Sequence, residues 1–241
     1  MVKARMLLFP CLLFLLLVTS GCMYSEEKIK QNQLATGEFI TVVQNAVDEF
    51  HKRRGVLPIK TKEEDTPLYE KYLIDFKKLK DYNVLSTIPG NAFENGGTAL
   101  YVLVDVETSP KVKMMDLPSY QRMVDLQKEI DAYKAKNQGA LPKGQPLAEG
   151  FSYIDYTKLK KKELSLQSPY SRTSLSAIMD DTGKVGIDYG PEIAKAMSRK
   201  GLTSADPGKD LRSLLVEEGY FVPARSFPYT WKNGEPTVTR E

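Results

Sequence analysis

Ile40-Thr41-Val42-Val43-Gln44-Asn45-Ala46-Val47-Asp48-Glu49-Phe50-His51-Lys52-Arg53-Arg54-Gly55-Val56-Leu57-Pro58 decides how this chain is built, because its pattern returns in the second half. Within it Ile40, Val43, Val47 and Phe50 lie three, four and three positions apart, which is one face of an α-helix. Gly55 just past the last turn, with Pro58 soon after, makes a helix stop. Met123, Leu126, Ile130 and Tyr133 repeat the spacing, and Gly139-Ala140-Leu141-Pro142 repeats the stop. The pattern predicts two copies of one module, over 38–118 and 119–200.

The echoes continue beyond the helices. Tyr72-Leu73-Ile74-Asp75-Phe76-Lys77-Lys78-Leu79 is answered by Tyr153-Ile154-Asp155-Tyr156-Thr157-Lys158-Leu159, each with an Asp before an aromatic. An Asp there suits the N-cap of a short helical turn. Pro89-Gly90-Asn91-Ala92-Phe93 is answered more loosely by Ser168-Pro169-Tyr170-Ser171. Strand-like sequence follows in both copies, Leu100 to Val104 and Leu175 to Met179, closed by Asp105 and Asp180. Asp181-Thr182-Gly183-Lys184 is a hairpin turn leading into Val185 to Tyr189, and Val112 to Leu117 is the returning strand of the first copy. A helix over a small antiparallel sheet buries both apolar faces economically. The expected class is therefore α+β, a tandem duplication of a helix-plus-small-antiparallel-sheet module. A helix at Pro191–Arg199 follows the second hairpin. The remaining segment, 201–241, reads as a C-terminal helix at Asp210–Glu217 and an aromatic, hairpin-like tail with a turn at Asn233-Gly234.

Each repeat, with its amphipathic helix, Gly-x-Leu-Pro, capped turn, proline turn and hairpin, resembles the globular part of type II secretion pseudopilins. The whole chain is similar to the YphF-type lipoproteins of Bacillus-like bacteria. The stretches that carry this likeness are Leu57 to Lys62, Pro89 to Glu94, Tyr101 to Val106, Asp210 to Leu215 and Phe221 to Ala224. Some members of that family are labelled as transporter-associated binding proteins, and the resemblance implies no particular activity.

The first 21 residues read as a lipoprotein signal peptide. A basic start at Lys3 and Arg5 precedes an apolar block, Met6 to Val18, and then Thr19-Ser20-Gly21-Cys22. This ending resembles the bacterial lipobox, with Thr19 where Leu is usual. The resemblance implies diacylglycerol on the Cys22 thiol and cleavage before Cys22. The alternative is an uncleaved membrane helix, for which the apolar block is short of the roughly 20 residues a span prefers. Several acyl chains would hold far better than one, at about 0.8 kcal/mol per buried methylene. Residues 22–37 are polar and are expected to form a tether.

Removing Lys3 and Arg5 takes the formal charge from +3 to +1. A near-neutral mature chain does not supply the basic face that nucleic acid requires, so no nucleic-acid partner is expected. The run Lys158, Lys160, Lys161 and Lys162 reads as a solvated face. With two cysteines, Cys11 and Cys22, and one histidine, His51, no four-ligand zinc site can be assembled. Cys11 lies in the leader, so no Cys–His nucleophile pair is available. His51 ends a helix, where a cationic side chain is favoured by the dipole. No catalytic residue, metal site or cofactor is expected.

Two sets of residues remain. Asp75 with Asp155, and Asp105 with Asp180, could bind calcium or act as acid and base, but the preferred reading is that related modules inherit the same caps and turns. Tyr220, Phe221, Phe227, Tyr229 and Trp231 form a candidate partner-binding set, or else they fill a core or bridge the modules. The function expected is a lipid-anchored, non-catalytic binding or assembly module on the outer face of the cytoplasmic membrane. Its partners would be the membrane, through the anchor, and another membrane or cell-wall protein. The runners-up are a solute-binding component of a transporter and a carboxylate-dependent extracytoplasmic hydrolase.

Overall fold

Helix α1 (Met23–Arg54) stops where the sequence places the stop. Gly55 is left-handed at φ 71°, and its N–H closes on the His51 carbonyl at 2.8 Å. A glycine adopts this conformation without the Cβ penalty, so the chain can leave the helix axis at once. The structure, a computed structural model, describes residues 23–60 and 62–240. Residues 1–21, read above as a signal peptide, and Cys22 lie outside the described residues. Residues up to Val42 form one unit and Val43–Glu241 the other. The described part of the first unit is helix. Residues 23–37, expected as a tether, therefore belong to α1. Their lack of apolar residues does not prevent this, since Glu, Lys and Gln are good helix formers.

In the second unit the first module follows α1 with α2 (Leu68–Lys71), α3 (Phe76–Asp81) and a 3₁₀ turn at Phe93–Asn95. The hairpin of β1 (Ala99–Val104) and β2 (Lys111–Asp116) completes it. Two bridges extend this sheet outward, Leu73 to Val102 and Ile59 to Ile74, so the order across it is 59, 73–74, β1, β2. The second module begins with α4 (Leu117–Lys136), capped by the Asp116 carboxylate, which accepts from the Ser119 N–H at 2.9 Å. Its antiparallel sheet has the order β3 (Lys143–Ala148), β4 (Phe151–Ile154), β7 (Ala177–Asp180), β8 (Val185–Ile187). A small β5 (Leu166–Gln167) and β6 (Ser174–Leu175) pair interrupts the chain between β4 and β7. The sheet order is thus the same in both modules. They differ in the first connection, a loop carrying α2 in one and a β3–β4 hairpin in the other. Sequence reading does not give β3 or β4, because Lys143-Gly144-Gln145-Pro146 is an exposed edge without apolar alternation.

Matching hydrogen bonds fix the correspondence. The Asp75 N–H donates to the Pro58 carbonyl at 2.7 Å, and the Asp155 N–H to the Pro142 carbonyl at 2.8 Å. Lys78 Nζ reaches the Ile59 carbonyl at 2.9 Å, and Lys158 Nζ the Lys143 carbonyl at 2.8 Å. The Gln44 side chain accepts from the Val112 N–H at 2.7 Å and donates to the Pro110 carbonyl at 3.0 Å. Gln127 accepts from the Val185 N–H and donates to the Gly183 carbonyl, both at 2.9 Å. Each glutamine amide thus clamps the open side of a hairpin to its helix.

The C-terminal part begins with α5 (Gly190–Arg199) and α6 (Arg212–Glu218) and ends in the hairpin β9 (Tyr229–Lys232) and β10 (Glu235–Val238). That hairpin turns through left-handed Asn233 and Gly234. Between α6 and β9 the chain runs extended along both modules. Met114 of β2 donates to the Tyr220 carbonyl at 2.9 Å and accepts from the Val222 N–H at 2.8 Å. Ile187 of β8 donates to the Arg225 carbonyl at 2.7 Å. Met114 and Ile187 hold the same place in the two registers, so one segment covers the outer edge of each sheet and leaves neither β2 nor β8 to pair elsewhere. Val222 and Ala224 pack with Val102, Val104, Met115 and Val216. Phe227 and Tyr229 join Met123, Ile130, Ile178 and Met179 in the second module's core.

Candidate functional site

The repeated aspartates are the first residues to place. Asp75 accepts from the N–H groups of Lys77 and Lys78 and caps α3. Asp155 accepts from the Thr157 N–H at 3.0 Å and from its hydroxyl at 2.5 Å. The Thr157 hydroxyl holds the Asp155 carboxyl below the usual range, against a smaller upward push from burial. Asp180 accepts from the Thr182 and Lys184 N–H groups and the Thr182 hydroxyl, bracing the hairpin turn. Asp105 is left-handed and forms a 3.7 Å ion pair with Lys111. Three of the four carboxylates are thus occupied by neighbours within four residues. Among the described residues no three His, Cys, Asp or Glu side chains converge as a metal site would require.

The aromatic tail divides. Phe227 and Tyr229 are buried, the Tyr229 hydroxyl donating to Asp188 at 2.7 Å. Burial, with Asp188 beside it, pushes the Tyr229 hydroxyl well above its ordinary range. Phe221 and Trp231 are half-buried, and Tyr220 is exposed. Phe227 and Tyr229 offer no surface to a partner. His51 is exposed on the last turn of α1.

Burial with partners distant in sequence marks residues that sequence reading does not single out. Glu192 is fully buried at the start of α5, and its Oε1 accepts from Ser171 at 2.5 Å, Thr173 at 2.9 Å and Lys195 at 3.2 Å. Burial pushes this carboxyl up, but hydrogen bonds from Ser171, Thr173, Ser168 and Lys195 outweigh it and hold the group below its ordinary value. Glu70, also buried, accepts from the Arg225 N–H at 2.7 Å across the seam of the modules. Both carboxylates fasten loops. Apart from Lys195, three residues on from Glu192, their partners lie 19 to 155 residues away, beyond the reach of any local motif.

Two clefts lie on the modules. The first, of about 400 Å³, is lined by Lys60, Asp75, Phe76, Lys77, Lys80, Asp81, Ile88 and Glu94. Its charges largely pair among themselves, Lys60 with Glu94 at 2.8 Å and Lys77 with Asp81 at 2.5 Å. The second, of about 320 Å³, lies at the β4–β7 side of the second module and is lined by Gln145, Tyr153, Ile154, Tyr156, Glu163, Ser176 and Ala177. This lining combines two aromatic rings with an amide, a hydroxyl and one carboxylate, which is the mixture of apolar wall and few polar groups that small binding sites use. Burial pushes the Tyr156 hydroxyl up to about 12. No nucleophile–base pair is among the lining residues.

Residues 36–116 match the YphF family N-terminal domain, which spans the first module. No curated protein and no solved structure gives a significant match. Among the described residues no helix is long and apolar enough to cross a membrane.

Proposed function

We propose that the whole chain is a YphF-family lipoprotein built by duplication of one α+β module. In this reading it is a non-catalytic binding or assembly protein, held by lipid on Cys22 at the outer face of the cytoplasmic membrane. The family match over the first module supports the family assignment, and the paired glutamine and lysine clamps support the duplication. The anchor rests on the leader ending in Gly21-Cys22.

The observation that carries the binding role is a difference at one register position between two modules whose sheets share one strand order. Where the register of the first module holds the large Tyr101, the second holds Ala177, and Ala177 lines a cleft. The repeated aspartates support a non-catalytic reading because turns and caps already use them.

The test places a photo-cross-linking residue at Glu163, on the exposed rim of this cleft, and a second at Asp206, remote in sequence, each in the full anchored chain. A partner captured in intact cells from position 163 and not from 206 is the expected result. Equal capture, or none, from both positions would reject the cleft as the binding face. A small solute that raises the melting temperature without any captured macromolecule would favour the transporter-associated reading.

A further inference from the structure

The first module contains a picture of what the second module lacks. Leu73 pairs with Val102 as Tyr153 pairs with Ile178, and the Val112 and Val185 N–H groups meet equivalent glutamines. Counting one residue along each strand sets Tyr101 opposite Ala177 in the correspondence, and the Asp-aromatic turns set Phe76 opposite Tyr156. In the first module the Tyr101 ring is buried and stands edge-on to Phe76, with centroids 5.3 Å apart and planes at 75°. Its hydroxyl donates to Asn91 Oδ1 at 2.7 Å. In the second module a methyl group replaces the whole ring, and the cleft bordered by Ala177 and Tyr156 lies there.

Resting on the binding role proposed above, we infer that this cleft receives an aromatic side chain, tyrosine in particular, from a partner polypeptide. The guest ring takes the place that Tyr101 fills in the first module. Tyr156 offers an aromatic wall for edge-to-face contact, and Ile154 and Ala177 supply apolar surface. Gln145 and Ser176 at the polar margin provide the acceptor role that Asn91 plays for Tyr101. The Glu163 carboxylate on the rim disfavours an anionic guest. A single inserted aromatic in a lined pocket is the usual form of an interface anchor.

The probe is N-acetyl-tyrosinamide, titrated into the full chain in detergent and followed at the methyl resonances of Ile154, which lines the cleft and is kept in every variant. It should bind with a dissociation constant on the order of millimolar, as expected for a small fragment. N-acetyl-alaninamide, which has no ring, should not bind. Ala177→Tyr refills the cleft as the first module does and should weaken the probe at least about tenfold. No shift at saturating probe, or undiminished binding to a folded Ala177→Tyr chain, would overturn the inference. Should that variant not fold, Gln145→Ala with Ser176→Ala leaves the core intact. It should weaken N-acetyl-tyrosinamide while sparing N-acetyl-phenylalaninamide, and undiminished binding of N-acetyl-tyrosinamide to this variant would overturn the inference too. A partner still captured from position 163 by the Ala177→Tyr chain would leave the binding role standing and remove the aromatic guest.

Discussion

At the residue scale, Glu192 shows what burial does to a charge. Its side chain is fully enclosed, and Ser171, Thr173 and Lys195 all donate to Oε1, while Oε2 is buried without a hydrogen-bond partner. Glu192→Gln should cost about 1–3 kcal/mol in equilibrium denaturation, the range for a charged hydrogen-bond acceptor. The folded-state pKa is depressed below the ordinary 4.5, so this stabilisation is complete above pH 4.5 and is lost as pH falls through the folded value. The acid limb of the stability profile should therefore be less steep in Glu192→Gln, and an unchanged limb would show that the carboxylate is not charged in the fold. The aromatic tail separates at the same scale. Phe227 packs edge-on to Phe151 at 4.9 Å, and Phe227→Ala should cost about 3–5 kcal/mol. Half-buried Trp231→Ala should cost only about 1–2 kcal/mol, by its smaller loss of buried apolar surface. Comparable costs from the two substitutions in urea melts would contradict this division. Asp75 and Asp155 were legible in the sequence because a cap reaches only two or three residues ahead. Glu192 was not, since its main partners come from a loop about 20 residues away that nothing local announces.

At the scale of elements, the two glutamine clamps carry a symmetric expectation. Gln44 and Gln127 each satisfy a hairpin N–H that no strand partner reaches. Gln44→Leu and Gln127→Leu should each cost about 1–3 kcal/mol, the penalty for leaving a donor unpaired. Amide exchange should quicken at Val112 in the first variant and at Val185 in the second. A cost confined to one of them would mean that the modules use their hairpins differently. The helices, their glycine stops and the hairpins were readable because each has a short periodicity or an obligatory turn residue. The clamps were readable too, in principle, since each Gln follows the second apolar residue of its helix face, Val43 or Leu126. The β3–β4 connection was hidden because β3 is an exposed, proline-bearing edge strand. Residues 23–37 are helical although their polar composition suggests only a tether, because Glu, Lys and Gln favour helix.

At the scale of the molecule, the extended segment from Tyr220 to Arg225 joins the modules by hydrogen-bonding to the same register position on each sheet. The aromatic density of the tail announced that it would pack somewhere. Only the three-dimensional register shows that it covers two sheet edges and that Ala177 stands where Tyr101 does. The membrane role proposed above depends first on Cys22. Mass spectrometry of the protein extracted from membranes should find a mature chain that begins at Cys22 and carries diacylglycerol on its thiol. A chain that retains Met1 to Gly21, or begins elsewhere, or carries an unmodified Cys22 thiol would contradict the anchor and the location proposed with it.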